Sequence, residues 1–146
     1  MPLNIDGTID GTFQLIGGNF TTAGEASTQL KFKLSELGVD ETIIRRATIA
    51  TFEAEMNVII YAAAGWLHYY ITPRSITIKI EDMGPGIENI ELAMQEGYST
   101  ASPKVREMGF GAGMGLANIK KNADLLNIQS KVGIGTTVEI TMFLNR

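Results

Sequence analysis

Residues 75–86 read Ser-Ile-Thr-Ile-Lys-Ile-Glu-Asp-Met-Gly-Pro-Gly, and this stretch decides how the chain folds. Its three isoleucines alternate with polar residues, which is typical of a β-strand that buries one face. Asp82 shares the parity of Ile76, Ile78 and Ile80, so the pattern predicts that its carboxylate points towards the covered face. A carboxylate in that position is costly unless it finds a partner. The strand therefore ends on a carboxylate that needs a hydrogen-bonding or charged partner.

The residues before this strand predict a hairpin preceded by two helices. Residues 65–71 are rich in aromatic side chains and predict a second strand, joined to the first by a short turn. Residues 40–64 repeat apolar side chains at steps of three and four, which is typical of an amphipathic helix. A shorter helix comes first, because Thr22 and Glu25 have capping-box spacing and Gly38 is a natural helix stop.

Hairpins imply antiparallel pairing, and the helices do not alternate with strands as βαβ units. The sequence therefore predicts the α+β class: a two-layer α/β sandwich with a mixed, mostly antiparallel sheet covered by helices on one face. The remaining predicted elements are a strand at 13–16, a short helix at 90–95, a loop at 99–108, a helix at 115–125 and strands at 128–132 and 136–144.

Composition excludes several classes of protein. A length of 146 residues predicts one domain over residues 1–146, and 45% apolar residues argue against disorder. A net charge of −4 argues against a nucleic-acid partner, and the lack of cysteine excludes disulfides and thiolate zinc sites. No apolar run approaches the roughly 20 residues that span a bilayer. We expect a cytoplasmic protein with no membrane or nucleic-acid partner.

The helix over residues 40–64 carries the first candidate site. Glu53 and Asn57 are four residues apart, so both lie on one side of this helix. A carboxylate there could accept a proton from a hydroxyl or a water, and an amide oxygen suits magnesium. The alternative is an exposed polar pair, as found on many helices. Glu55 lies on another face and is expected to be solvated.

The second candidate is Asp82 with Gly84 and Gly86. Glycines let a ligand approach the backbone closely. An inward carboxylate at a strand end could accept a hydrogen bond from an exocyclic amine such as that of adenine, whereas guanine offers a carbonyl there. The alternative is a plain tight turn after a strand, where these residue types are common.

The third candidate is the run of glycines at residues 109–115, just before a predicted helix. Backbone N–H groups and a helix N-terminus form a phosphate cradle. The run is neither a Walker A loop nor a dinucleotide fingerprint, because its spacing differs from both. A flexible linker is the alternative. Lys104 and Arg106 precede it and either meet phosphate charge or are merely exposed.

In combination these patches resemble the GHKL (Bergerat-fold) ATPases, a superfamily of gyrase subunits, heat-shock chaperones, histidine kinases and mismatch-repair ATPases. The resemblance covers about residues 40–144. Residues 82–87 and 91–100 look most like the small bacterial anti-sigma-factor and switch-protein serine/threonine kinases. The matching motifs are Glu53-x-x-x-Asn57 (N box), Asp82-x-Gly84-x-Gly86 (first glycine box), residues 109–115 (second glycine box) and Gly133-Ile134-Gly135-Thr136.

The resemblance implies a role for each matching residue. Glu53 would be the catalytic base, Asn57 a magnesium ligand, Asp82 the adenine anchor, and Thr136 a contact at the adenine site. ATP and Mg2+ are the implied cofactors, and residues 99–115 would form a mobile lid over the triphosphate. The other implied nucleotide-binding residues are Gly84, Gly86, Ser99, Thr100, Lys104, Arg106, Gly109, Gly111, Gly113, Gly115 and Leu116.

Glu53 also favours one branch of the superfamily. Histidine kinases usually carry asparagine at this place, because a neutral histidine acceptor is already nucleophilic, whereas a hydroxyl benefits from a base. The first hypothesis is therefore a serine/threonine kinase acting on a small STAS-type anti-sigma antagonist. The second is a nucleotide-dependent module that binds a sigma factor, and the third is an ATPase that regulates a neighbouring complex. A homodimer is a further implication of the resemblance.

Overall fold

The computed structural model describes residues 7–95 and 115–144. These residues form a five-stranded sheet with helices on one side. The strands are β1 (Ile9–Ile16), β2 (Ala64–Ile71), β3 (Ser75–Asp82), β4 (Leu125–Lys131) and β5 (Gly135–Phe143). The helices are α1 (Glu25–Glu36), α2 (Glu41–Tyr61), α3 (Ile90–Ala93) and α4 (Gly115–Asn122).

The strand order is β1-β2-β3-β5-β4, and every pairing between these strands is antiparallel. The expected α+β class is confirmed, and the described residues contain no parallel pair. Because β3 is the central strand, it pairs with β2 on one side and with β5 on the other. The last residue of β3 is Asp82, so the candidate carboxylate lies at the end of the central strand of the sheet.

The core lies between the sheet and the helices. The isoleucines of β3 are at most 2% exposed, and they pair with Val138, Ile140 and Met142 of β5 on the same face. Each buried aliphatic side chain of this size contributes about 1.5–3 kcal/mol relative to the exposed state. The opposite face carries polar side chains such as Lys79 and Glu81, which form an ion pair at 3.1 Å. The predicted alternation is confirmed.

Helix α2 lies at the centre of the helical layer, between α1 and α4. Asp40 caps it by accepting a hydrogen bond from the Thr42 N–H at 2.8 Å. Ala47, Ala50 and Ala54 are at most 1% exposed, and their small side chains let neighbouring elements approach closely. Glu53 and Asn57 are therefore carried by the helix with the most packing partners in the described structure.

The predicted start of α1 is wrong. The helix begins at Glu25, Gly24 is the N-cap residue, and no cap side chain accepts a hydrogen bond there. The buried carboxylate of Glu55, on α2, instead accepts hydrogen bonds from the N–H groups of Gly24, Ala26 and Ser27 at 3.1–3.2 Å. A side chain from a neighbouring helix thus replaces the expected Thr22 capping box.

The same contacts overturn the expectation that Glu55 is solvated. Glu55 is 1% exposed, whereas Glu53 is partly exposed on a different side of α2. Glu55 lies one turn from Thr51 and one turn from Ile59, both of which are also buried. Its face of α2 is covered by the start of α1, and the three backbone donors compensate the burial of its charge.

The end of α4 and the start of β4 also differ from the prediction. Helix α4 ends at Asn122, whereas the predicted helix runs to residue 125. Strand β4 begins at Leu125, three residues before the predicted start at residue 128. Asp124 fixes this junction: its carboxylate accepts hydrogen bonds from the Arg46 guanidinium and from the Phe143 N–H, each at 2.8 Å. The Arg46 hydrogen bond, the largest cause, and the Phe143 N–H hold the pKa of Asp124 below its ordinary value.

Replacing Thr51 by valine is expected to stabilise the fold by about 1 kcal/mol. Thr51 is fully buried, and its hydroxyl has no hydrogen-bond partner in the described structure. Valine has nearly the same shape and removes the unsatisfied polar group. Urea denaturation followed by circular dichroism measures the change. The exposed Thr28→Val on α1 is the control and should be close to neutral; a Thr51→Val protein less stable than wild type would contradict the assignment.

Candidate functional site

Asp82 lies at the end of β3 on the helical side of the sheet. A side chain at Gly65, its partner in β2, would place Cβ 3.3 Å from Asp82 Cβ and 2.9 Å from Val58 Cγ1. Asp82 and the α2 residue Val58 therefore approach the same side of Gly65, as the parity of the strand predicted. The glycine leaves the room that the Asp82 side chain needs.

One oxygen of Asp82 is fixed by the backbone. Asp82 Oδ1 accepts hydrogen bonds from the Gly84 N–H at 2.8 Å and from the Thr136 N–H at 3.2 Å. No hydrogen bond to Oδ2 is seen among the described residues, and the side chain is partly exposed. The carboxylate is thus held in one orientation with an oxygen available to accept from a ligand.

The loop after Asp82 is held against the β4–β5 turn. Gly86 adopts φ +80°, a left-handed conformation that favours glycine, and a Cβ there would collide with the backbone of Lys131 and Val132. The Gly133 N–H donates to the Pro85 carbonyl at 2.8 Å. These contacts give the Asp82 loop a fixed position beside β5.

Two hydroxyls complete this end of the site. Thr136 is 8% exposed, and its Oγ1 lies 2.7 Å from Ser130 Oγ. Ser130 Oγ also accepts the Ile87 N–H at 2.7 Å and lies 3.2 Å from the Gly135 carbonyl. Ser130 therefore joins the Asp82 loop, β4 and β5 at one point. This residue was missed by the sequence analysis because a single serine in a strand carries no distinguishing signal.

Glu53 and Asn57 form the other half of the site, where α2 meets the start of α4. A Cβ at Gly115 would lie 3.1 Å from Asn57 Oδ1 and 3.3 Å from Glu53 Oε2. The two side chains therefore point together towards the first residue of α4, as their spacing predicted. The lack of a side chain at Gly115 keeps both groups accessible. Neither is fully buried, so they are not a structural core pair.

The Asp82 loop contacts the chain just past the C-terminal end of the helix that carries Glu53 and Asn57. A Cβ at Gly84 would lie 3.0 Å from Ala62 Cβ, just past the end of α2. The Met83 N–H donates to the Ala64 carbonyl at 3.1 Å, so the loop after Asp82 is tied to the segment that follows α2. Helix α2 thus carries Glu53 and Asn57 and leads at its C-terminal end into the segment that contacts the Asp82 loop.

The titration of Glu53 has two opposing causes. Partial burial raises the pKa of this carboxyl above its ordinary value, and a hydrogen bond with the Asn118 side chain offsets part of the rise. A carboxyl with a raised pKa is a stronger base than an ordinary one. Asn118 lies on α4, one turn after Gly115. It was not predicted, because nothing in the sequence shows which residue of α4 faces α2.

Replacing Asn118 by alanine is expected to raise the pKa of Glu53 further. The substitution removes the hydrogen bond that favours the ionised form and leaves the desolvation that opposes it. The measurement is an NMR titration of the Glu53 side-chain carboxyl carbon. The matched control is Asn127→Ala on the exposed surface of β4, which should leave the titration unchanged. A pKa that stays the same or falls in Asn118→Ala would contradict the assigned contact.

The structure places the predicted residues that it describes in two groups, one around Asp82 and one around Glu53 and Asn57, and places Leu116, which is 7% exposed, in the core. Thr136 is also buried, but its backbone N–H donates a hydrogen bond to Asp82. The described members are Glu53, Asn57, Asp82, Gly84, Gly86, Gly115, Leu116 and Thr136. The predicted residues Ser99, Thr100, Lys104, Arg106, Gly109, Gly111 and Gly113, and with them the expected lid as far as residue 114, lie outside the described residues.

Comparison with known families identifies this architecture. The family of histidine kinase-, DNA gyrase B- and HSP90-like ATPases matches residues 41–146. The match covers most of the chain, including α2, the Asp82 loop and α4. The chain therefore belongs to this family of ATPases, as the motif resemblance implied, and its nucleotide-binding character follows from membership.

Particular relatives narrow the comparison. The chain is 35% identical to an anti-sigma F factor of Caldanaerobacter subterraneus over 115 residues, which cover 74% of this chain and 77% of that protein. It is 30% identical to the serine/threonine-protein kinase RsbT of Bacillus subtilis over 113 residues, covering 75% and 79%. The similarity to both proteins agrees with the branch that the sequence motifs indicated, the anti-sigma-factor and switch-protein serine/threonine kinases.

A solved structure shares the fold. The RsbU and RsbW domains of a Mycobacterium tuberculosis protein superpose on 93% of this chain with a TM-score of 0.61 and 17% sequence identity. The chain spans about a third of that protein, since the match covers 33% of it. In residues 7–95 and 115–144, no helix is both long and apolar enough to cross a membrane.

Proposed function

We propose that this chain is an ATP- and magnesium-dependent serine/threonine protein kinase whose substrate is a small STAS-type anti-sigma antagonist. The observation that carries the proposal is the position of Glu53, a partly buried carboxyl with a raised pKa beside Asn57 and the start of α4. The names of the relatives, an anti-sigma F factor and a serine/threonine-protein kinase, support the same reading.

Asp82 is the proposed adenine anchor. Its Oδ1 is occupied by two backbone N–H groups, so Oδ2 is the oxygen that would accept from the 6-amino group of adenine. Guanine presents a carbonyl at that position, and two facing acceptors with no proton between them are unfavourable. The geometry around Asp82 therefore supports selection of ATP over GTP.

Asn57 is the proposed magnesium ligand. Its amide oxygen is a neutral hard ligand, and Mg2+ usually takes only one or two protein ligands while keeping water and phosphate oxygens. A Cβ at Gly115 would come within 3.1 Å of this oxygen, so glycine is the residue that keeps the space in front of it open. When bound, the ion would neutralise charge on the triphosphate.

Glu53 is the proposed general base. In the transfer step, the serine or threonine hydroxyl oxygen forms a bond to the γ-phosphorus, and the bond between that phosphorus and the β–γ bridging oxygen breaks to release ADP. The hydroxyl proton moves to a carboxylate oxygen of Glu53. Partial burial of Glu53 raises its affinity for this proton, and the Asn118 amide holds the carboxylate in place.

Labelled ATP tests the proposal directly. The protein is incubated with γ-32P-ATP, Mg2+ and a candidate STAS-domain protein, in wild-type form and with its acceptor hydroxyl residue replaced by alanine. We expect acid-stable label on the wild-type partner and none on the alanine variant. No transfer at equimolar protein, or an acid-labile label typical of phosphohistidine, would contradict the proposal.

A second candidate function is supported by the similarity to anti-sigma F factors. In this reading the chain binds a sigma factor of RNA polymerase, and the nucleotide sets the affinity. The two functions are compatible in one protein. Gel filtration of the protein with a sigma factor, in the presence of ATP and then of ADP, separates them: a nucleotide-dependent complex supports sigma binding, and its absence in both states excludes it for that factor.

A further inference from the structure

Ser130 is the described side chain that links three parts of the candidate adenine site. It lies opposite Thr136 in the β4–β5 register, and its Oγ is 2.7 Å from Thr136 Oγ1. The Ile87 N–H donates to the same oxygen at 2.7 Å. Thr136 in turn donates its backbone N–H to Asp82 Oδ1. A continuous chain of hydrogen bonds therefore runs from the end of the Asp82 loop through Ser130 and Thr136 back to Asp82.

The proton of Ser130 has two acceptors within reach. One is Thr136 Oγ1 at 2.7 Å, and the other is the Gly135 carbonyl at 3.2 Å. The shorter contact is the stronger hydrogen bond for a hydroxyl donor. Ser130 also accepts from Ile87, and a hydroxyl that accepts a hydrogen bond is a better donor in turn. Either hydroxyl can donate across the 2.7 Å contact, and when a ligand accepts the Thr136 proton, Ser130 becomes the donor to Thr136 Oγ1.

When Ser130 donates to Thr136, the role of the Thr136 hydroxyl is defined. A threonine hydroxyl has one proton, and its oxygen is already accepting from Ser130. The Thr136 proton is then left for another acceptor. Thr136 is 8% exposed, so a hydrogen bond from its proton to a ligand atom is made in a place largely shielded from water. Ser130 therefore lets Thr136 act as a donor at the side of the site where Asp82 is an acceptor.

We infer that Ser130 is a positioning residue that sets the purine specificity of the site through Thr136. The inference rests on the proposed nucleotide site. Adenine carries an amine donor next to a ring-nitrogen acceptor, which matches an Asp82 acceptor next to a Thr136 donor. Hypoxanthine and guanine carry a carbonyl next to a ring N–H and oppose both groups. Removing the Ser130 hydroxyl frees Thr136 to rotate and to act as acceptor or donor, so discrimination falls.

The test compares ATP with inosine triphosphate, which differs from ATP at the 6-position and the adjacent ring nitrogen. Isothermal titration calorimetry with Mg2+ gives the ratio of the two dissociation constants. We expect Ser130→Ala to reduce the preference for ATP by about tenfold, and Ser130→Thr, which keeps the hydroxyl, to retain it. Ser75→Ala is the matched control, because it removes a hydroxyl bonded in the β2–β3 turn at the opposite end of the sheet.

A variant that already lacks the Thr136 hydroxyl separates an effect on the preference for ATP from a general loss of structure. In Thr136→Val the hydroxyl through which Ser130 acts is absent, so adding Ser130→Ala should leave the ATP preference of that variant unchanged. If Ser130→Ala folds poorly, Ser130→Cys serves in its place, since a thiol is a weak donor of similar shape. A wild-type preference in Ser130→Ala or Ser130→Cys, or the same tenfold loss in the Thr136→Val background, would overturn the inference.

The outcomes also separate this inference from the proposed function. If the wild-type protein binds neither nucleotide, the proposed ATP site itself fails. If the wild-type protein prefers ATP and the Ser130 variants keep that preference, only the role of Ser130 fails. A structural role alone would lower thermal stability and weaken both nucleotides equally, which leaves the ratio of their dissociation constants unchanged.

Discussion

Replacing Glu53 by glutamine is expected to slow phosphoryl transfer to the hydroxyl acceptor by about 100- to 10,000-fold, the range for loss of a general base. Glutamine keeps the shape of the side chain and can still interact with Asn118, but it cannot take the hydroxyl proton. ATP affinity should stay close to that of wild type, because the proposed purine contacts are at Asp82. Single-turnover transfer of γ-32P, with ATP binding measured separately by calorimetry, gives both quantities.

The control for this variant is Glu41→Gln, which removes an exposed carboxylate from the first turn of the same helix. Its transfer rate should equal that of wild type. Transfer by Glu53→Gln at the wild-type rate would show that another group takes the proton. Loss of ATP binding together with transfer would show that Glu53 acts in binding instead of in the chemical step.

Replacing Glu55 by alanine is expected to lower the free energy of unfolding by about 2–6 kcal/mol, since about 1–3 kcal/mol is lost for each of the two buried donors, Ala26 and Ser27, left without a partner. Glu55 is 1% exposed and satisfies the N–H groups of Gly24, Ala26 and Ser27 at the start of α1. A small domain is stable by only about 5–15 kcal/mol, so the loss is a large fraction of the total. Urea denaturation followed by circular dichroism measures it.

The matched control is Glu36→Ala, on the exposed side of α1. Glu36 forms a surface ion pair with Lys33 at 3.6 Å, and its side chain is 71% exposed. Such pairs contribute about 0–1 kcal/mol, so this variant should be nearly as stable as wild type. A Glu55→Ala protein that loses less than the control would show that water satisfies the α1 donors equally well.

The strand that carries Asp82 shows why part of this site was predictable. Three alternating isoleucines fix the two faces of β3, because a strand has a period of two and only one face is buried. The position of Asp82 follows from the same period. The pairing of Glu53 with Asn57 follows from the helical repeat in the same way. Local periodicity was therefore enough for residues whose partners lie on their own element or at its end.

Glu55 shows where the same reasoning fails. Helical spacing placed it correctly on a different side of α2 from Glu53, but spacing does not show what covers that side. The start of α1 covers it, and the contacting residues Ala26 and Glu55 are 29 positions apart in the sequence. Asn118 and Ser130 were missed for the same reason: their partners lie on other elements, and a single asparagine or serine gives no periodic signal.

We expect Asp82 to bind the adenine base at the end of β3, beside the segment that follows α2. Calorimetric titration of ATP with Mg2+ into wild-type protein and Asp82→Asn measures this role. We predict that wild type binds ATP and that Asp82→Asn binds it about 100-fold more weakly, because a charged hydrogen bond to the purine amine is lost. Asp40→Asn, at the exposed N-cap of α2, should bind like wild type. Equal affinity of Asp82→Asn and wild type for ATP would contradict the account.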